Sequence, residues 1–195
     1  MEQKDYRLSA IMYTDIVGFS RLMEKNESVD FDELPPRDYI LNGCKGREAR
    51  SIRSLFLKEG ELEMWNAQLQ AKYRAIKEEF CLYEHEQIDD ADIVLISYGS
   101  TYRICKSVKD KARAKGMQVG TFRPISLWPF PYQHIRDLCA KKRKLLVVEM
   151  SAGQMLEDVR LAVNGACPVF FKGRTGGGIP DEEKILEKIE EILAL

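Results

Sequence analysis

A charge inside an apolar strand is the first residue in this sequence that needs a chemical explanation. Glu149 closes the run Leu145-Leu-Val-Val-Glu-Met150, and a carboxylate buried there must find a partner or hold a proton. Arg123 ends the run Met117–Phe122, where its guanidinium could meet a substrate carboxylate, an acid of a partner chain or a structural counter-ion. Were the two strand ends adjacent, each would satisfy the other, so a buried Arg123–Glu149 ion pair is the expectation. Arg123 also opens Phe122-Arg-Pro-Ile-Ser-Leu-Trp-Pro-Phe-Pro131, whose three prolines cannot donate ladder hydrogen bonds. This turn lies at the carboxyl end of a strand, where open α/β sheets build their sites. Trp128 and Phe130 on it either fill the core or form a contact ledge. With Arg123, Gln154 and Met155, they are the candidate partner-interface residues.

The remaining chemistry-bearing residues point less sharply. Gly43 and Gly46 with Lys45, Arg47, Arg50 and Arg53 lack the Gly-Lys-Ser/Thr ending of a phosphate-binding loop. Gly176–Gly178 could turn backbone N–H groups toward an anion, or serve only as a flexible turn. His85 stands without a second histidine nearby and is expected to cap or to face solvent. The five cysteines are scattered and odd in number, with no CxxC pair, which predicts reduced thiols rather than a disulfide frame or a zinc site.

The elements that must hold these residues follow from periodicity. Leu62, Trp65, Leu69, Tyr73, Ile76, Phe80 and Tyr83 draw one stripe along a helix expected over Gly60–Glu84, and such a stripe must be covered by something. After Asp89, strand and helix alternate: Ile93–Tyr98, Met117–Phe122, Leu145–Met150 and Cys167–Phe171 are strands, each followed by a helix. Right-handed crossovers then leave a three-layer α/β domain with a mainly parallel sheet.

Composition removes several classes. Of the 195 residues, 45% are apolar and 31% charged, and thirty bases against thirty-one acids leave a net charge of -1. No overall basic field argues for nucleic acid or an anionic membrane. No apolar run approaches the ~20 residues that span a bilayer, and Glu2, Lys4, Asp5 and Arg7 are unlike a signal peptide. A cytoplasmic protein is expected.

Two resemblances add to this reading. Residues 6 to 27, with Thr14-Asp-Ile-Val-Gly-Phe-Ser20, resemble the opening of a class III adenylate or guanylate cyclase domain, in which Asp15 would match a metal-holding aspartate. Two-metal chemistry needs a second carboxylate, and no Gly-Asp-Gly hairpin supplies it, so Asp15 would bind metal only in a complete fragment. The second likeness is carried by Asn42-Gly-Cys-Lys-Gly-Arg-Glu48, Gln68–Tyr73, Phe122–Pro131, Val148–Met155 and Gly173-Arg-Thr-Gly-Gly-Gly178. From about Ser28 onward these resemble, in order, the C-terminal part of the alpha chain of 2-oxoacid:ferredoxin oxidoreductases of the 2-oxoisovalerate type.

That resemblance implies a transketolase C-terminal-like fold and a division into a cyclase-like fragment (1–27), a linker (28–59) and an α/β domain (60–195). It also implies a parent complex that decarboxylates 2-oxoacids to acyl-CoA and reduces ferredoxin, using thiamine diphosphate, magnesium, iron–sulfur clusters and coenzyme A. None of these cofactors is expected in this chain, which lacks the thiamine motif and a cysteine cluster. The expected role is non-catalytic packing against beta and ferredoxin-like chains. The alternatives are a module that homodimerises through the striped helix and a cyclase-derived regulator.

Overall fold

The computed structural model describes residues 43–49, 55–141 and 143–195. Asp15, the cyclase-like segment 1–27 and most of the 28–59 linker lie outside the described residues. The chain divides into two compact units, Met1–Asn66 and Ala67–Leu195, and the boundary falls within the first described helix, α1 (Glu61–Glu79). In the first unit the Phe56 ring stacks on Trp65.

The second unit holds a five-stranded sheet of order β1-β3-β2-β4-β5. Its strands are β1 (Tyr83–Glu86), β2 (Ile93–Ile96), β3 (Val119–Pro124), β4 (Lys144–Glu149) and β5 (Val169–Gly173). Four run parallel, and β1 pairs antiparallel with β3. The helices α2 (Gly99–Ala114), α3 (Tyr132–Leu138), α4 (Gln154–Val163) and α5 (Glu182–Leu193) cover both faces.

Alternation along each strand decides which face a side chain serves. Val94, Ile96, Leu145 and Val147 meet Ile135, Leu156 and Val159 of α3 and α4. Ile93, Leu95, Leu146 and Val148 meet Val108, Ala112, Ile185 and Ile189 of α2 and α5. Both clusters are fully enclosed, which is why β2 and β4 read as unbroken apolar runs.

Several expectations change here. The helix predicted to Glu84 stops at Glu79, and Tyr83 and His85 belong to the edge strand β1. By count Tyr83 continues the helical stripe, but β3 offers an open edge. The Leu82 carbonyl accepts from the Ile125 and Ser126 amides at 2.9 and 3.1 Å, and this pairing outweighs local periodicity. No residue of α1 is buried: Leu69 and Ile76, like Phe80 just beyond the helix, are half-covered, whereas Leu62, Trp65 and Tyr73 stay exposed.

Two cysteine expectations also part. Cys139 and Cys167 form a disulfide with Cα atoms 5.4 Å apart, while Cys44, Cys81 and Cys105 are free. The 28-residue separation between the bonded pair gives no local sequence signal. Lys141, Arg143 and Lys144 bind carbonyls rather than facing only solvent: Lys141 that of Asp89, Arg143 those of Asp89 and Ala91, and Lys144 that of Ile192.

β1 is held to α2 as well as to β3. Glu86 accepts from Lys106 at 2.5 Å and from Lys109 at 2.7 Å, and these hydrogen bonds hold its carboxyl below the ordinary 4.5. A depressed carboxylate contributes stability above its unfolded pKa and loses it as pH falls. Glu86→Gln should therefore be less stable than the parent chain at about pH 7, with the gap closing at about pH 3. Urea unfolding at both values checks this.

Candidate functional site

The carboxyl edge of the sheet collects the loops that sequence reasoning singled out. Glu149, at the end of β4, is fully buried. Its Oε2 accepts from the Ser151 hydroxyl at 2.6 Å and the Met155 amide at 3.1 Å, and its Oε1 from the Leu156 amide at 3.0 Å. The carboxylate thus supplies the N-terminal acceptors that α4 needs, since the residue before the helix, Gly153, has no side chain to do so. The negative charge also sits at the positive end of the helix.

The expected Arg123–Glu149 ion pair is therefore not formed. Arg123 lies on β3 and Glu149 on β4, and β2 runs between them. Arg123 pairs instead with Glu84, its register partner on β1, with Nη1 to Oε1 at 3.1 Å. Its guanidinium also lies over the Tyr102 ring at 5.3 Å. A half-exposed pair of this kind contributes little stability.

The proline-rich turn after β3 is stapled by a residue that sequence reasoning passed over. Ser126 Oγ accepts from the Leu82 amide at 2.9 Å and donates to the Pro129 carbonyl at 2.8 Å. This fixes the turn against the start of β1 and sends its two aromatics apart. Phe130 is 6% exposed and belongs to the core, whereas Trp128 is 58% exposed and meets the Tyr73 ring edge-on, ring centres 5.8 Å apart. The turn carries no carboxylate that could have marked the staple, so only tertiary structure reveals it.

Tyr132, at the start of α3, donates to Asp158 Oδ1 of α4 at 2.5 Å. The hydrogen bond to that carboxylate pushes its phenol up to about 12. Burial likewise raises the Cys105 thiol to about 12, which leaves it an inert core residue. Among the described residues, no three His, Cys, Asp or Glu side chains gather as metal ligands.

A family profile described as "Pyruvate:ferredoxin oxidoreductase core domain II" matches residues 91–185, the stretch from just before β2 into α5. The ketoisovalerate oxidoreductase subunit VorB of Methanothermobacter marburgensis is 38% identical over 192 residues, covering 96% of this chain and 53% of that protein. Residues 91–185 form a core domain II of the pyruvate:ferredoxin oxidoreductase kind.

Other relatives are similar over part of the chain. The 2-oxoglutarate synthase subunit KorA of the same organism is 41% identical over 101 residues, covering 52% of this chain and 27% of that one. A solved 2-oxoglutarate:ferredoxin oxidoreductase from Magnetococcus marinus, with 2-oxoglutarate, coenzyme A and succinyl-CoA bound, superposes with a TM-score of 0.62. At 22% identity, over 70% of this chain and 24% of that one, it shows the shared fold. The chain spans about half the length of the VorB relatives it matches. Because the VorB likeness covers 96% of the chain, it takes in most of residues 1–27. Nothing in these comparisons supports the cyclase likeness of that segment.

Of the five candidate interface residues on domain II, Trp128 and Gln154 are exposed and Arg123 is half-exposed. Phe130 and Met155 are core residues, because the stapled turn and the Glu149-capped helix direct them inward. Trp128 does not stand alone: Tyr73, Leu82, Ile125 and Leu127 are exposed beside it or on the segments it touches. Glu149→Gln would place an amide donor against helix N–H groups and remove the charge. We expect a loss of about 2 kcal/mol in urea unfolding, with the sheet retained by circular dichroism.

Proposed function

We propose that this chain supplies a non-catalytic packing domain to a thiamine diphosphate-dependent 2-oxoisovalerate:ferredoxin oxidoreductase. The complex would decarboxylate branched 2-oxoacids to acyl-CoA and pass electrons to ferredoxin. The observation that carries this reading is the ledge of Trp128, Leu127, Ile125, Leu82 and Tyr73. Large apolar side chains gathered at one sheet edge and 38% to 58% exposed are what an interface anchor looks like before its partner arrives. Support for the substrate class comes from the likeness to a ketoisovalerate oxidoreductase subunit.

In this reading thiamine diphosphate, magnesium, iron–sulfur clusters and coenzyme A belong to the parent complex, assembled in the cytoplasm from beta and ferredoxin-like chains. The groups that hold them lie, in this reading, on the other chains of the complex. The part the described residues play is mechanical: a rigid sheet, closed on both faces, presenting one apolar edge.

A homodimer is the second reading, favoured by the open stripe of α1, on which Leu62, Trp65 and Tyr73 are exposed. Co-expression with the beta and ferredoxin-like chains separates the two. The packing reading expects recovery of a complex containing all chains, weakened by Leu127→Ser with Trp128→Ser by about 2 kcal/mol or more, roughly 30-fold in affinity. Both side chains are exposed, so the fold should survive. A stable homodimer that ignores the other chains, or assembly indifferent to the double variant, would contradict it.

A further inference from the structure

β5 ends at Gly173, and the chain turns through Arg174–Asp181 before α5 begins. Strand end, turn and helix enclose a cleft of about 310 Å3 lined by Lys172, Gly173, Arg174, Pro180, Asp181 and Lys184. Three of its four charged residues are cations. Among the described residues none of the three has a carboxylate within ion-pair distance, whereas nearby Lys111, Lys115 and Lys188 each have one. Asp181 is engaged as the cap of α5, accepting from the Glu183 amide at 2.9 Å. Glu191, the acid whose carboxyl Lys172 helps to lower, is itself paired with Lys188 at 2.7 Å.

The turn places one of these cations with care. The Arg174 amide donates to the Glu149 carbonyl at 3.0 Å, and its Nη1 to the Ile179 carbonyl at 2.5 Å. Gly176 and Gly177 take φ of 70° and 75°, a conformation that side chains resist. Gly178 has a different role. A Cβ there would stand 2.4 Å from Arg174 Nε and 3.0 Å from its Cδ and Cγ, so the arginine stem lies against Gly178 and a side chain at that position would push it aside. A merely flexible turn has no need of this arrangement.

A guanidinium held by the Ile179 carbonyl and flanked by two ammonium groups, none of the three in an ion pair among the described residues, suits a ligand with two or more negative charges. Arginine forks onto phosphoryl oxygens and lysine adds point charge. The volume sits at the small end of ligand sites, which begin at ~300 Å3. We infer that this cleft binds the phosphate or diphosphate group of a small molecule, with Arg174 as the oriented donor and Lys172 and Lys184 as flanking charges. The site stands independently of the packing role.

Titration calorimetry of the full chain with inorganic pyrophosphate, and separately with ADP, tests it. Gly178→Ala changes no charge, and the three atoms nearest the added methyl all belong to the Arg174 side chain. The fold should stay intact by circular dichroism while the guanidinium is displaced. Pyrophosphate affinity should fall about tenfold in Gly178→Ala and in Lys184→Gln, and hold in Lys188→Gln. Tighter binding of ADP than of pyrophosphate would identify a phosphorylated organic ligand, and the reverse a free inorganic anion. No binding of either probe, or binding that Gly178→Ala leaves unchanged, would overturn the site.

Discussion

The fully buried carboxylate of Glu149 is the constraint on which the carboxyl edge of this sheet depends. Three donors meet its two oxygens, two of them the first free amides of α4. Its backbone carbonyl accepts from Arg174 and so continues the β4–β5 ladder into the next loop. One residue therefore fixes where α4 starts and where the loop after β5 departs. Burying a charge this deeply is costly unless every lone pair is used, and here the helix end provides both partners and favourable polarity.

The neighbouring loops are pinned by equally local devices. Ser126 closes the proline turn onto Leu82, Tyr132 joins α3 to α4 through Asp158, and Gly178 keeps Arg174 flat. These contacts make the edge rigid and sort its chemistry. The apolar ledge follows β3, and the cationic cleft follows β5. Since β2 and β4 lie between them, the two surfaces stand ~14 Å apart across three strand spacings. That separation lets a large apolar contact and a small charged ligand occupy the same edge without competing.

The alternation of buried strands and amphipathic helices after Asp89 was legible because burial on both faces writes unbroken apolar runs. The helix ends at Asn164 and Asp181 rest on single residues, a left-handed Asn164 and a capping Asp181 side chain. What sequence did not show was strand order. Arg123 and Glu149 both end strands, and nothing in the chain says that β2 separates them. The edge strand at Tyr83 was hidden by a helical stripe that runs on by count, and the Cys139–Cys167 bond by its long separation. For the ledge, the proline-rich pattern located the turn but could not divide its aromatics, because Trp128 and Phe130 differ only in which way a tertiary staple turns them.

In the proposed role, the exposed edge around Trp128 is the surface that the rest of an oxidoreductase complex covers. Hydrogen–deuterium exchange of this chain, free and in complex with beta and ferredoxin-like chains, addresses that claim most directly. Slowed exchange on assembly should concentrate at the segments carrying Tyr73, Leu82 and Ile125–Trp128. Unchanged exchange there, with protection appearing on another face of the sheet, would contradict the account.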